Sequence, residues 1–148
     1  MTLDENSVRL RIQLIASYLA EMNLLRAIDA EDILNDVFKY RATERLQELT
    51  IQASIDISRY LLNELHNARP STNAGVFIEA ARASILPSDL AKRLAEASKL
   101  KNFLAHQYEK IDPLIVIESI ESICIDFQQY LDCLNNYLTS LTEDDGTE

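Results

Sequence analysis

An all-α fold, an antiparallel bundle of four to five helices, is what this sequence predicts, on three observations. Apolar residues recur at steps of three and four along several long segments, the period of a helix with one buried face. Glycine occurs twice and proline three times in 148 residues, too few for the many tight turns of a sandwich or barrel. With 47% hydrophobic residues, a chain of this size buries one ordinary core and forms one domain.

Val8, Ile12, Ile15, Tyr18, Leu19, Met22 and Leu25 line one face of a first amphipathic helix spanning Val8 to Ile28, with Arg9, Arg11, Gln13 and Glu21 falling largely elsewhere. Asp29, followed three residues on by Asp32, reads as an N-cap with an acidic first turn. It starts a short second helix that runs into, or kinks against, a long third. That third helix carries Leu46, Leu49, Ala53, Ile57, Tyr60 and Leu61 on its apolar stripe. Its other side is polar: Arg41, Glu44, Arg45, Glu48, Gln52, Asp56 and Arg59. His66 to Gly75 gathers the only extended turn chemistry and reads as the one long loop. A short helix over Val76 to Ala83 follows.

Pro87-Ser88-Asp89 then starts a helix with apolar positions at Leu90, Leu94, Ala97, Leu100, Phe103 and Leu104, and Pro113 restarts the chain after Tyr108. In the last helix Ile117, Ile120, Cys124, Phe127, Leu131, Leu134, Leu138 and Leu141 make the clearest seam in the chain. Such a seam packs lengthwise against another helix, inside the bundle or in a coiled coil between chains. Thr142 to Glu148 is acidic and without apolar content, so the expected domain covers 1–141 and the tail 142–148 is expected to be disordered.

Composition narrows the function. No apolar run reaches 18 residues and no basic patch leads an apolar stretch at Met1 to Asn6, so the expectation is a cytoplasmic protein with no membrane association. Cys124 and Cys133, nine apart on one helix, point about 180° apart and cannot be bridged within the chain. They read as core thiols and not as metal ligands; no metal and no cofactor is expected. The formal charge of −10 argues against a general nucleic-acid coat protein and against long-range steering of RNA, while leaving room for a small basic site.

With two histidines, any imidazole chemistry falls to His66 or His106. His66 closes the third helix and reads as a capping or solvated side chain. His106 differs because Lys101, Asn102 and Tyr108 crowd around it near the end of an otherwise apolar helix. Asn102 and His106 share a helical face, whereas Lys101 and His106, five apart, converge only if the helix bends or a second subunit contributes.

The stretch Lys101-Asn102-Phe103-Leu104-Ala105-His106-Gln107-Tyr108 resembles the signature of HepT-like HEPN proteins: Arg, Asn, three mostly apolar residues, His, any residue, Tyr. Arg41 to Leu46, Gln52 to Ile57 and Ile111-Asp112 extend the resemblance over roughly residues 5 to 140. It implies a homodimeric toxin of a toxin–antitoxin pair that cleaves RNA without metal, the motifs of both subunits lining one cleft. It further implies that His106 is the general acid or base, that Asn102 stands beside the motif cation Lys101, and that an MNT-type nucleotidyltransferase antitoxin AMPylates Tyr108. Asp56, Gln52 and Arg45 are candidate cleft-lining residues; a solvated helix face is the alternative.

Where the family has Arg, this chain has Lys101. Arg grips two phosphate oxygens through a planar fork, and Lys offers a point charge. That loss of bidentate geometry costs about 1 to 3 kcal/mol at a transition state, one to two decades in rate. The competing reading is therefore a non-enzymatic module that binds the nucleotidyltransferase. A nucleotide-sensing bundle is a third, with no glycine-rich loop to support it.

Overall fold

The computed structural model describes residues 3–105 and 112–146. Among them stand six helices and no strand: α1 Glu5–Arg26, α2 Ala30–Leu34, α3 Val37–His66, α4 Asn73–Arg82, α5 Ser88–Ala105 and α6 Pro113–Gly146. The long helices α1, α3, α5 and α6 make the bundle. The short α2 and α4, both read from the sequence, remain separate helices, so the described residues hold six where a bundle of four to five was expected.

Local chemistry sets the boundaries. Asp4 caps α1 by accepting from the Ser7 N–H, and Asp36 caps α3 through the N–H groups of Phe38 and Lys39. Asn67 ends α3 in the left-handed region, at φ 49°, and its N–H returns to the Leu62 carbonyl. Thr72 caps α4 by accepting from Gly75 N–H at 3.0 Å. A Cβ on Gly75 would stand 2.7 Å from Thr72 Oγ1, so the close approach needs glycine there. These caps confine the loop to 67–72, shorter at both ends than the sequence suggests.

Side-chain bonds fix the helix directions. The Asp4 N–H donates to the Tyr60 hydroxyl, so α1 starts where α3 ends. Arg26 reaches Glu121, so α1 finishes where α6 begins. Gln47 meets Val116, and His66 meets Tyr137, so α3 and α6 run parallel. Arg93 pairs with Asp126 and Gln129, while Leu100 faces Ser119 and Ile123 across a groove, so α5 runs against α6. The result is the expected antiparallel bundle, with α1 and α5 pointing one way and α3 and α6 the other.

The core confirms the outer helices. Val8, Ile12, Ile15, Leu19, Met22 and Leu25 are buried on α1, and on α6 the seam from Ile117 to Leu138 is buried, with Leu141 half-buried. That seam is satisfied within the bundle, between α1, α3 and α5. Phe77 and Phe127 meet the fully buried Tyr130 edge-on at 6.1 Å. Cys124 is buried and Cys133 half-buried, and burial pushes both thiols up, away from reactive thiolate character.

Three expectations change. Residues 142–146, assigned to a disordered tail, continue α6: Leu141 still packs on the core and no helix breaker occurs before Gly146. Phe103, assigned to the apolar stripe of α5, is 49% exposed. On α3, Leu46, Ile57 and Leu61 of the expected stripe are buried, but the buried face extends to one side of it. Leu49, Ala53 and Tyr60 are half-buried, whereas Thr43, Glu44, Gln47, Thr50, Ser54 and Ser58 lie inside.

Candidate functional site

The buried polar row follows from helical spacing. Thr43, Gln47, Thr50, Ser54 and Ser58 step by four, three, four and four, which keeps them on one line of α3 toward the interior. Most of their polar atoms are answered. Thr43 donates to the Lys39 carbonyl, Ser54 to that of Thr50, and Tyr130 donates to the Ser54 carbonyl at 2.9 Å and bonds Ser58 Oγ at 2.5 Å. The exceptions are Gln47 Oε1 and Thr50 Oγ1, buried with no partner among the described residues. Gln47 Nε2 meanwhile donates to the Val116 carbonyl at 2.8 Å, tying α3 to the first turn of α6.

That level of the bundle is also where α5 ends. Lys101 continues the core-facing row Leu90, Leu94, Ala97 and precedes Leu104 on it, so the ammonium occupies a half-buried position in an apolar line. Asn102, about 100° further round, is exposed. His106 and Tyr108 lie outside the described residues, so the expected Asn102–His106 face and the Tyr108 modification site belong to the proposal below.

Beside this end, the first turns of α3 hold a charged cluster. Glu44 is only 7% exposed and accepts from Arg41 at 2.6 Å. Arg41 in turn lies over the Tyr40 ring, 5.8 Å from its centroid. Burial, then the Glu44 charge, raises the Tyr40 phenol, and Asp112, where the chain re-enters α6, adds to the rise. The bond to Glu44 holds the Arg41 guanidinium charged. Tyr40 and Asp112 therefore share this end of the bundle. Sequence reasoning placed Glu44 on the solvent face and passed over Tyr40, Gln47 and Thr50. The available signal was the run of polar residues at core spacing, 43-47-50-54-58.

The α3 candidates occupy another flank. Arg45 and Asp56 are exposed and Gln52 half-buried, roughly opposite the Gln47 row. Arg45 pairs with Glu48 at 3.4 Å, and Gln52 donates to Asp56 at 2.8 Å. Asp56 also lines, with Arg59, Tyr60, Asn63, Ala68 and Arg69, an open cavity of about 420 Å³ toward the far end of α3. His66, expected as a cap or solvated side chain, bonds the Tyr137 hydroxyl through Nε2 at 2.7 Å.

Comparison with known proteins gives this arrangement a family. Residues 11–134 match the family described as Ribonuclease HepT-like. A curated relative from Aphanizomenon flos-aquae (strain 2012/KM1/D3), a tRNA nuclease HepT, is 35% identical over 137 residues, covering 93% of each chain. Among solved structures, a toxin–antitoxin complex with AMP-PNP superposes with a TM-score of 0.81 at 17% identity, over 89% of this chain and 99% of that one. The tri-AMPylated Shewanella oneidensis HEPN toxin in complex with its MNT antitoxin gives 0.79 at 18% identity, over 87% and 96%. YutE from Bacillus subtilis, a cytosolic protein of unknown function, gives 0.82 at 14%, over 93% and 92%. At these identities the solved structures establish the fold.

Proposed function

Because the chain belongs to the HepT-like ribonuclease family, we propose that it is the toxin of a toxin–antitoxin pair, a cytoplasmic metal-independent ribonuclease acting on tRNA. The observation that carries the reading is the setting of the first two motif residues. The cation Lys101 is half-buried and Asn102 exposed where α5 ends, one helix away from a buried polar row with two unanswered oxygens. A structural interior would not ordinarily combine these features.

Cleavage by the 2′-hydroxyl requires a base beside that hydroxyl, an acid beside the leaving 5′-oxygen, and positive charge near the phosphorane. In a two-fold dimer, two copies of His106 fill the first two roles, because a neutral imidazole accepts a proton and a protonated one donates it. Lys101 supplies the charge, and Asn102 donates to a non-bridging oxygen. The same end of the bundle exposes Val37, Phe38, Phe103, Leu114 and Ile115, an apolar surface suited to a second copy. Transfer of AMP onto Tyr108 by a nucleotidyltransferase antitoxin sets a bulky anion two residues from His106, which repels the RNA backbone and fills its entrance.

Replacing His106 with Ala abolishes RNA cleavage and growth inhibition under this reading; retention of both rejects it. Co-expression with an MNT-type nucleotidyltransferase is expected to add mass in AMP multiples mapping to Tyr108. The second reading, a module that binds the nucleotidyltransferase without cleaving RNA, is favoured by one observation, the lysine at position 101. Lys101→Arg separates the two: a toxin gains about 10-fold or more in rate from the bidentate fork, whereas cleavage seen only in the Arg variant makes the native chain the binding module.

A further inference from the structure

The net charge of −10 conceals a division. Residues 37–105, which form α3, α4 and α5, hold ten Lys and Arg against seven Asp and Glu, a balance of +3. The rest of the chain holds four against seventeen, a balance of −13. In the fold, α4 packs on α3 and α5, while α6 packs on α1, α2, α3 and α5. By helix, the acidic excess lies on α6, with seven Asp and Glu and no Lys or Arg, and on α2 with two, whereas α1 and α3 are near balance. The end of α3 and the loop after it are therefore not themselves acidic, and a phosphate can be met locally in spite of the total charge.

Within residues 37–105, two guanidiniums stand apart. Arg9, Arg26, Arg41, Arg45, Arg82 and Arg93 each pair with a carboxylate. Arg59 and Arg69 are held by neutral acceptors. Arg59 donates to the Pro70 carbonyl at 2.7 Å and to Asn73 Oδ1 at 2.9 Å, and Arg69 Nε donates to Asn63 Oδ1 at 2.8 Å. Such partners fix each fork without neutralising it, and leave three and four N–H groups uncommitted among the described contacts. Both forks line the same cavity of about 420 Å³, together with the Tyr60 ring and Asp56. That volume suits one nucleotide.

We propose that this cavity, between the end of α3 and the loop 67–72, is an RNA-backbone subsite in which Arg59 and Arg69 take one phosphodiester of the substrate. The assignment rests on the ribonuclease reading for its choice of RNA. Asp56, with one oxygen engaged by Gln52, accepts from a ribose 2′-hydroxyl, a group that DNA lacks. The Tyr60 ring offers a face to the base. Arg59 lies twelve residues along α3 from Gln47, about 18 Å, so the subsite holds a nucleotide a few positions from the scissile bond. Substrate choice then depends on strand length and shape as well as on the motif.

The test uses the full-length protein carrying His106→Ala, so that RNA survives, and a fluorescein-labelled single-stranded RNA titrated by anisotropy over a salt series. Adding Arg69→Gln is expected to weaken binding several-fold at low salt and to lower the slope of log affinity against log salt by about 0.7, one single-strand phosphate contact. Arg69→Lys keeps the charge and retains most of the slope. Arg69 is the variant of choice because its anchor is one surface Asn, whereas Arg59 also pins the loop. An unchanged slope in Arg69→Gln overturns the subsite, and so does a parent that binds no RNA at any salt. A native chain, with His106 intact, that cleaves nothing while Arg69→Gln in the His106→Ala background still loses the slope rejects the ribonuclease reading and leaves the subsite standing.

Discussion

Gln47 offers the sharpest test of how the interior is built. Its side chain is 0% exposed, its amide donates to the Val116 carbonyl at 2.8 Å, and its Oε1 has no partner among the described residues. Gln47→Leu deletes a bond worth about 0.5–1.5 kcal/mol net and also deletes an unanswered acceptor whose burial costs about 1–3 kcal/mol. The volumes are close, so no large cavity opens. The balance falls between no change and a gain of about 2 kcal/mol, or up to several degrees in Tm for a domain of this size.

Gln47→Glu acts in the opposite sense. A carboxylate at this site lies near the buried Glu44 and faces the Val116 carbonyl without a proton to offer, an uncompensated charge that costs about 3–5 kcal/mol. Its folded pKa rises above the unfolded value, so the penalty applies above the usual carboxylate range and shrinks as pH falls and the group protonates. Urea and thermal melts by circular dichroism of the three proteins, at neutral and mildly acid pH, read both effects. A Gln47→Leu protein more than 2 kcal/mol less stable than the parent, beside an unharmed Gln47→Glu, would refute the reasoning. Cleavage should fall in Gln47→Leu in spite of its stability, because α6 loses its tether at the motif end.

Tyr130→Phe strands the buried Ser58 hydroxyl and should cost about 1–3 kcal/mol, part of which returns in Tyr130→Phe/Ser58→Ala; strictly additive losses in the double-mutant cycle would show the two hydroxyls uncoupled. Thr50→Val removes the other unanswered oxygen at constant shape, so the melting temperature should rise, and a drop of several degrees would point to a partner for that hydroxyl. The Lys39 N–H, followed by that of Phe38, holds Asp36 below the usual carboxylate range. Its contribution is therefore present above pH about 4 and lost as pH falls through the lower folded value. Asp36→Asn keeps a capping oxygen and should flatten the acid limb of a Tm-against-pH curve, and identical limbs would remove Asp36 from the account.

Much of the fold was legible because apolar periodicity is local. The α1 row from Val8 to Leu25 and the α6 seam from Ile117 to Leu138 each bury the residues their spacing singles out, since these helices meet the core along one face. The α3 face was misjudged for the same reason in reverse. Thr43, Gln47, Thr50, Ser54 and Ser58 are polar yet inside, and whether a polar side chain can be buried depends on what answers it. For the Ser58 hydroxyl that answer is Tyr130, 72 residues away. The tail was misjudged because composition alone does not report that Leu141 still holds the last turns on the bundle.

By itself the sequence determined the helices, their approximate ends, and the motif from Lys101 to Tyr108, all encoded within a few turns of chain. Tertiary structure decided that Lys101 is half-buried in its row on α5 and that α3 buries two unanswered oxygens. It also decided that Arg59 and Arg69, ten residues apart, share a cavity in an acidic protein. Periodicity fixes which face of a helix is apolar; only packing fixes which partners that face meets, and charge and hydrogen bonding depend on the partners.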